Sequence, residues 1–158
     1  MTQVSSLYLH VPFCRHLCNY CDFFKKQFDS PKRQIEDFHQ FLDKSFARHE
    51  ELMKDHGVIW APLETLYFGG GTPSLWGQEG AQYFKEGPLG KLAVSPKLEF
   101  TMEVDPGTWS EDMILAWKEL GLNRISIGTQ TLNPEFLKIM DRDHSLDESF
   151  KLLSYCQE

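Results

Sequence analysis

The sequence predicts an α/β protein with a parallel sheet built from repeated strand–helix units. Short apolar runs alternate with amphipathic stretches four times along the chain. Each apolar run ends at glycine or proline, and helix-capping residues precede three of the amphipathic stretches. Alternating strands and helices fold into parallel sheets whose crossovers are right-handed. These three observations favour the α/β class over an all-helical or an all-β fold.

The first half of the chain is predicted to hold two strands and a long helix. Residues 6–11 form the first strand, which Pro12 ends. Residues 31–55 carry apolar side chains at helical spacing, and Gly57 follows them. Residues 63–68 form the second strand, which ends in the glycine-rich segment 69–73. From residue 74 to residue 92, repeated glycines predict only short helical pieces.

The second half repeats this pattern twice. Residues 98–104 form a third strand, and Ser110 caps the helix that follows. Residues 124–128 form a fourth strand; Asn133 then opens one helix and Ser145 caps another. A closed (β/α)8 barrel needs about 200 residues or more. Residues 1–158 are therefore predicted to be the N-terminal part of a larger barrel, about four βα units, with the remaining barrel and a C-terminal domain absent.

Composition limits the classes of function. The formal net charge of −7 argues against nucleic acid as a partner, because phosphate binding requires a basic surface. No apolar run approaches the roughly 20 residues that a transmembrane helix needs. Three cysteines are clustered and Cys156 is distant, a poor pattern for disulfides that suits a reducing compartment. The sequence therefore predicts a cytoplasmic protein without a transmembrane segment.

Three cysteines just after the first strand predict a metal centre. Cys14, Cys18 and Cys21 have the spacing C-x3-C-x2-C. Thiolates are soft ligands that favour iron–sulfur clusters, zinc or copper(I). Three ligands can hold three irons of a cubane cluster and leave the fourth iron open for chemistry. The alternatives are a structural zinc site completed by His16, at an awkward spacing, and three unligated core cysteines.

Five motifs in consistent order carry a family resemblance. They are residues 8–23, 66–74, 103–106, 123–130 and 142–145. With them the sequence resembles the radical S-adenosylmethionine (SAM) superfamily, in the branch that holds oxygen-independent coproporphyrinogen III oxidase and HemW-type heme chaperones. The resemblance covers nearly the whole chain and implies the first part of a partial (β/α)6 barrel.

The resemblance implies two cofactors. Cys14, Cys18 and Cys21 would bind three irons of a 4Fe-4S cluster, and SAM would chelate the fourth iron. One electron from the reduced cluster can then cleave a carbon–sulfur bond of SAM and give a 5′-deoxyadenosyl radical. The implied SAM-binding residues are Tyr8, Tyr20, Gly70, Gly71, Thr72, Glu103, Gln130 and Arg142.

Within this set the implied roles differ. Gly71 and Thr72 would bind the amino-acid end of SAM, Glu103 the ribose hydroxyls, and Tyr20 the region of the adenine. Gly70, Gln130 and Arg142 would hold a second SAM or face the substrate. Each of these residues also has an interpretation that involves no ligand. The glycines would form a tight turn, Glu103 would face the surface, and the two tyrosines would pack against their neighbours. Arg142 would pair with Asp141 or Asp143 on the surface. His10 and His144 are expected to be structural.

The branch contains proteins of two functions. The oxidase pattern has a further cysteine two residues after the third cluster cysteine, where this chain has Phe23. Phenylalanine cannot replace a thiol in redox or ligand chemistry. The resemblance therefore implies a heme chaperone, with heme as cargo, heme-receiving respiratory apoproteins as partners, and an electron donor. The enzyme alternative decarboxylates two propionates of coproporphyrinogen III. A zinc-stabilised domain without catalytic activity is the third possibility.

Overall fold

A four-stranded parallel sheet forms the centre of the molecule. The computed structural model describes residues 2–157. The strands are β1 (Thr2–Val11), β4 (Val58–Gly70), β5 (Val94–Val104) and β6 (Arg124–Ile127), and they lie in the order β1-β4-β5-β6. All three neighbouring pairs are parallel. Each strand adds to the sheet beside the one before it, so the sheet grows in one direction, as in a barrel.

The helices are α1 (Pro31–Asp55), α2 (Gly77–Glu86), α3 (Glu111–Glu119), α4 (Pro134–Ile139) and α5 (Leu146–Gln157). The first three lie between successive strands of the sheet, and α4 and α5 follow β6. Two 3-10 turns, Pro73–Trp76 and Leu89–Lys91, flank α2. A short parallel ladder of β2 (Phe13–Cys14) and β3 (Lys26–Gln27) lies between β1 and α1. No helix within residues 2–157 is both long enough and apolar enough to cross a membrane.

The two faces of the sheet differ in chemistry because side chains alternate along a strand. One face carries apolar residues that pack under the helices, such as Leu9 on β1, Phe68 on β4 and Met102 on β5. Tyr67 and Glu103 occupy the intervening positions, are only half-buried, and are joined by a hydrogen bond. One face of the sheet is therefore apolar and packs under the helices, and the other face carries polar side chains.

Aromatic side chains dominate the apolar face of the sheet. The ring of Phe68 lies 5.0–5.8 Å from the rings of Phe100, Trp117, Phe84 and Trp76, several of them edge to face. Phe68, Trp76, Phe100 and Trp117 are all fully buried. Such pairs contribute about 0.5–1.5 kcal/mol beyond the burial of their area. This cluster joins the two central strands to α2 and α3.

The predicted α/β class and the order of strands and helices are confirmed. Where glycines between residues 74 and 92 predicted only short helical pieces, the structure has the two 3-10 turns and α2, a continuous helix of 10 residues. Gly80 lies inside it because the Trp76 ring occupies the space that a Cβ atom would need. The glycine is thus required by packing and does not break the helix.

We predict that His39 makes folding stability depend on pH. Trp76 Nε1 donates to His39 Nε2 at 2.9 Å, and the imidazole stacks on Tyr83 with ring centres 3.9 Å apart. Burial lowers the pKa of His39, although Glu79 and Asp43 oppose the shift. The unfolded chain therefore binds this proton more readily, and stability should fall as the pH drops below about 6.5.

The comparison is urea unfolding at pH 7.5 and 5.5 for the wild type and for His39→Gln, whose amide oxygen can still accept from Trp76. The loss of stability at the lower pH should be smaller in His39→Gln than in the wild type. His49→Gln, at an exposed position of the same helix, is the matched control. Equal pH dependence in wild type and His39→Gln would contradict the assignment.

Candidate functional site

A cavity of about 480 Å³ lies where the strands end. Parallel strands terminate at the same edge of a sheet, so the loops after β1, β4, β5 and β6 meet there. Ten of the eleven predicted site residues line this cavity: Cys14, Cys18, Tyr20, Cys21, Gly70, Gly71, Thr72, Glu103, Gln130 and Arg142. The topology thus brings together side chains that lie up to 128 positions apart.

The cysteine loop is enclosed by the short ladder of β2 and β3. Lys26 N donates to Pro12 O at 2.6 Å, and Phe28 N donates to Cys14 O at 2.8 Å. Inside the loop, Cys21 N donates to Cys18 O at 3.3 Å. Cys14 is buried, whereas Cys18 and Cys21 are half-buried. The ladder closes the base of the loop, and the three thiols line the cavity.

The three thiols do not form a compact site for one ion. Zinc holds sulfur at about 2.3 Å, so sulfurs around one zinc lie within about 4 Å of each other. Among residues 2–157, the group of potential ligands with atoms within 4.8 Å of one another consists of Asp105, Asp143 and His144. His16 Nε2 lies 3.0 Å from a carboxylate oxygen, Asp141 Oδ2. The arrangement disfavours the zinc alternative.

Polar groups surround the thiols. Thr72 Oγ1 lies 3.8 Å from Cys14 Sγ, and Arg142 Nη1 lies 3.6 Å from Cys18 Sγ. Lys25 lines the cavity and donates to the carbonyl of Cys21. Burial raises the pKa of the Cys14 thiol; the Thr72 hydroxyl and Lys25 act in the opposite direction. The site therefore supplies donors and positive charge for anionic sulfur.

The glycine segment after β4 brings its backbone close to the cysteine loop. Gly71 N donates to Val11 O at 2.8 Å, and Thr72 N donates to Phe13 O at 2.6 Å. A Cβ atom at residue 71 would lie 2.5 Å from Phe13 O and 3.0 Å from Cys14 Sγ. No larger residue fits at position 71 unless the cysteine loop moves. Glycine is required at position 71 because the backbone there approaches the cysteine loop closely, in addition to making the turn.

Glu103 is held by two hydrogen bonds on the polar face. Tyr67 OH donates to Oε1 at 2.7 Å, and Gly70 N donates to Oε2 at 3.1 Å. Burial raises the pKa of Tyr67, and the bond to Glu103 adds to the effect. The surface-facing alternative for Glu103 is therefore wrong: the carboxylate is half-buried and aimed into the cavity.

Tyr8 is the one predicted site residue that does not line the cavity in the described structure. Its ring stacks beside Tyr67, with centres 6.0 Å apart, and its hydroxyl lies 3.0 Å from His10 Nδ1. His10 Nε2 lies 2.8 Å from the carbonyl of Phe24, so His10 Nε2 donates and Nδ1 accepts from Tyr8. Tyr8 and His10 support the segment that follows the third cysteine, which fits the expectation that His10 is structural.

Arg142 is a mostly buried residue that contacts several groups of the site. It pairs with Asp105, and the two side chains are only 11% and 12% exposed. Nη2 also donates to Gly128 O at 3.2 Å and to His144 Nδ1 at 3.1 Å. Burial acts to lower the pKa of Arg142, but the charges of Asp105, Tyr20 and Cys18 and the hydrogen bond to Cys18 together outweigh it, so the pKa is raised. Surface pairing of Arg142 with Asp141 or Asp143 is wrong, because the partner is Asp105.

Gln130 has a strained backbone. Its φ of 63° lies in the left-handed region that residues other than glycine seldom occupy. Thr131 N donates to Thr129 O at 2.7 Å, a tight turn across Gln130. Strain of this kind costs on the order of 1–3 kcal/mol and concentrates at functional sites. The turn places Gln130 on the cavity wall just beyond β6.

Comparison with known proteins identifies the family. A family model described as the Radical SAM superfamily matches residues 8–158. The chain belongs to the radical SAM superfamily. Members of this superfamily carry a 4Fe-4S cluster and SAM.

Two kinds of curated relative are similar to this chain. A heme chaperone HemW of Escherichia coli is 35% identical over 147 residues, which cover 91% of this chain and 36% of the relative. An oxygen-independent coproporphyrinogen III oxidase of Paracoccus denitrificans is 35% identical over 144 residues, which cover 90% of this chain and 30% of the relative. The chain thus spans about a third of the length of the curated relatives it matches.

A solved structure confirms the fold. The coproporphyrinogen III oxidase of Escherichia coli, a radical SAM enzyme, superposes with a TM-score of 0.79 at 24% identity. The match covers 99% of this chain and 34% of the solved chain. The parallel sheet with alternating helices is therefore the radical SAM fold.

The residues present fit the cofactors of the superfamily. Three thiols line one cavity without forming a single-ion site, and cationic groups of Lys25 and Arg142 approach their loop. The glycine segment leaves room beside Cys14 that a Cβ atom would fill. The donor set suits a cluster held at three corners, and the polar wall suits a ligand with amino-acid and ribose groups.

Sequence reasoning missed five participants: Arg15, Lys25, Tyr67, Asp105 and Asp143. Tyr67 has a sequence signal, since a polar ring between Leu66 and Phe68 must face away from the apolar face. Asp105 also has one, because it directly follows a strand. Arg15 and Asp143 have none beyond their position beside other motifs, and their ion pair is visible only in three dimensions.

We predict that Gly70→Ala destabilises the fold more than the backbone angle alone requires. Gly70 has a φ of 117°, and a Cβ atom there would lie 2.6 Å from the His10 ring. We expect a loss of about 3 kcal/mol of unfolding free energy, from strain plus collision. Gly121→Ala is the control, since Gly121 also has a positive φ (99°) but lies in open space.

Urea unfolding of both variants measures the difference. Gly121→Ala should cost only about 1 kcal/mol. Adding His10→Ala to Gly70→Ala should recover part of the loss, because the colliding ring is gone. Equal losses for the two glycine variants would show that His10 does not restrict position 70.

Proposed function

We propose that this chain is the N-terminal part of a heme chaperone that binds a 4Fe-4S cluster and SAM and delivers heme to apoproteins. The proposed binding of the cluster and SAM rests on the cavity, which is lined by Cys14, Cys18, Cys21, the glycine segment and Glu103. The three cysteines would hold the cluster. When bound, the cluster supplies single electrons to SAM. The remaining barrel and a further domain would come from sequence outside residues 1–158.

The residues on the cavity wall would divide the binding of SAM. Gly71 and Thr72 would receive its amino-acid end, and Tyr20 would lie beside the adenine. Glu103 is well prepared for ribose hydroxyls, because Tyr67 and Gly70 N fix both carboxylate oxygens. Gly70, Gln130 and Arg142 would face a second SAM or the tetrapyrrole. Tyr8 would act through Tyr67 and His10.

One observation favours the chaperone over the oxidase. Phe23 lines the cavity and is 68% exposed, at the position where the oxidase pattern carries a further cysteine. A benzyl group offers neither a thiol nor a proton. Several of the similar proteins are named heme chaperones, including those of Escherichia coli and Lactococcus lactis, the latter 33% identical. We place the protein in the cytoplasm, where its thiols stay reduced, with an electron donor as a further partner.

The oxidase is the second candidate. The similarity to the Paracoccus denitrificans oxidase is as high as that to the Escherichia coli chaperone, at 35% identity in both cases. The proposed SAM-binding wall would serve either function. In the oxidase, the SAM-derived radical chemistry would act on the propionates of coproporphyrinogen III.

We predict that Cys18→Ser abolishes the cluster and that Cys156→Ser does not. Cys18 lines the cavity, whereas Cys156 is an exposed cysteine near the end of α5. A hydroxyl replaces the thiolate poorly as a ligand for iron. After anaerobic reconstitution, Cys156→Ser should be brown and should bleach with dithionite, and Cys18→Ser should lose most of its iron and sulfide. Full iron content in Cys18→Ser would refute the ligand assignment.

We predict that the full-length protein binds heme and transfers it without converting coproporphyrinogen. The measurements are a spectroscopic heme titration, transfer to an apo-hemoprotein, and an anaerobic assay for protoporphyrinogen with SAM and a reductant. Phe23 cannot take the place of the missing thiol, so no turnover is expected. Formation of protoporphyrinogen would favour the oxidase, and the absence of heme binding would exclude the chaperone.

A further inference from the structure

We infer that the turn after α4 is a clasp that orders the cysteine loop before any cluster is bound. The clasp is residues 139–143, and the part of the loop that it holds is residues 15–19. This inference rests on the proposed role of the three cysteines in binding the cluster. Nothing in the sequence motifs connects the two segments, whose contacting residues are 120 to 128 positions apart.

Four contacts join the two segments. Arg15 Nε donates to Asp143 Oδ2 at 2.8 Å, and His16 Nε2 lies 3.0 Å from Asp141 Oδ2. The other two contacts are longer: Arg142 Nη1 lies 3.6 Å from Cys18 Sγ, and Asn19 Nδ2 donates to Ile139 O at 3.4 Å. The clasp therefore contacts the loop on both sides of Cys18.

Arg15 adds a link to a third segment. Its Nη1 donates to Gly107 O at 2.8 Å, in the loop after β5. A Cβ atom at residue 107 would lie 2.6 Å from Arg15 Nη2, so glycine keeps room for the guanidinium. One side chain thus joins the cysteine loop to the turn after α4 and to the loop between β5 and α3.

The backbone of the clasp indicates why an aspartate stands at position 141. Arg142 N donates to Leu137 O and Asp141 N to Lys138 O, the pair of hydrogen bonds that ends a helix in a Schellman motif. The residue with positive φ in this motif is usually glycine, and α3 ends in this way at Gly121. In α4 the same position is Asp141, with a φ of 54°. The aspartate accepts backbone strain while its carboxylate faces His16.

The position of the clasp is itself fixed by contacts with residues at the ends of two strands. Arg142 is anchored by Asp105 and Gly128 O, on the ends of β5 and β6. His144 is fully buried beside it, and burial together with the charge of Arg142 lowers the pKa of His144. The neutral ring accepts from Arg142 at Nδ1. The contacts to the cysteine loop are therefore made from a position set by the sheet.

Hydrogen exchange of the full-length protein without its cluster tests the clasp. We predict that Arg15→Gln speeds exchange of amides 16–21 about fivefold, the factor that the loss of a partly exposed ion pair produces. Exchange of amides 100–104 in β5 and the unfolding midpoint should stay as in the wild type. Arg48→Gln, which removes an exposed ion pair with Glu51 on α1, is the control and should change neither segment.

Two further variants separate the clasp from general stability. Asp141→Gly relieves the strained φ, so it should preserve or raise the unfolding midpoint while it speeds exchange of amides 16–21. Arg15→Asp combined with Asp143→Arg restores an ion pair and should return part of the protection that Arg15→Asp alone removes. Unchanged exchange at 16–21 in Arg15→Gln, or an equal rise throughout the protein, would overturn the inference.

The rate of iron release tests whether the clasp helps the protein to retain the proposed cluster. From the reconstituted protein, a chelator should remove iron several-fold faster in Arg15→Gln than in Arg48→Gln. A wild type that takes up no iron would refute the proposed cluster, and the exchange of the cluster-free protein would still decide the clasp. Faster exchange with unchanged iron release would confirm that the clasp orders the loop and would overturn its role in retaining the cluster.

Discussion

The ion pair of Arg142 with Asp105 is the interaction on which the arrangement of the site depends. Both side chains are close to nine-tenths buried. The guanidinium also reaches Gly128 O, His144 and Cys18, so it joins the ends of β5 and β6, the turn after α4 and the cysteine loop. Removing one partner of such a buried pair leaves an uncompensated charge, which costs about 3–5 kcal/mol. The cavity wall is therefore not a set of independent loops, because one buried pair sets their relative positions.

The sheet makes this convergence possible. In the register of the strands, Val11 is opposite Gly70, Phe68 is opposite Met102, and Val104 is opposite Ile127. The strands consequently end at nearly one level, and each following loop enters the same cavity. The aromatic cluster around Phe68 fixes the sheet from the other side. Stability and ligand binding are thus assigned to opposite faces of the same strands, through the alternation of side chains.

Much of the fold could be predicted from the sequence, because apolar spacing and turn residues are local signals. The starts of three strands could not: β1 begins at Thr2, β4 at Val58 and β5 at Val94, each several residues before the predicted start. The added residues include Pro62 and Pro96, which argue against a strand interior; Pro62 lies at the register shift between β1 and β4, and Pro96 at the shift between β4 and β5. In the site, the residues at or after the strand ends were predicted through the family resemblance of their motifs. The partners of Arg142 and Arg15 were not, since a sequence pattern does not specify which distant charges meet.

The contact between Arg15 and Asp143 has a consequence for how the protein is made. Residue 15 leaves the ribosome 128 residues before its partner, which is a delay of several seconds at about 5–20 residues per second. During that interval the three thiols are present without the contacts that order their loop. Contacts between distant segments also form late in folding, because they close long loops. For the proposed cluster, a site ordered by these contacts is thus available only after synthesis of the fourth βα unit.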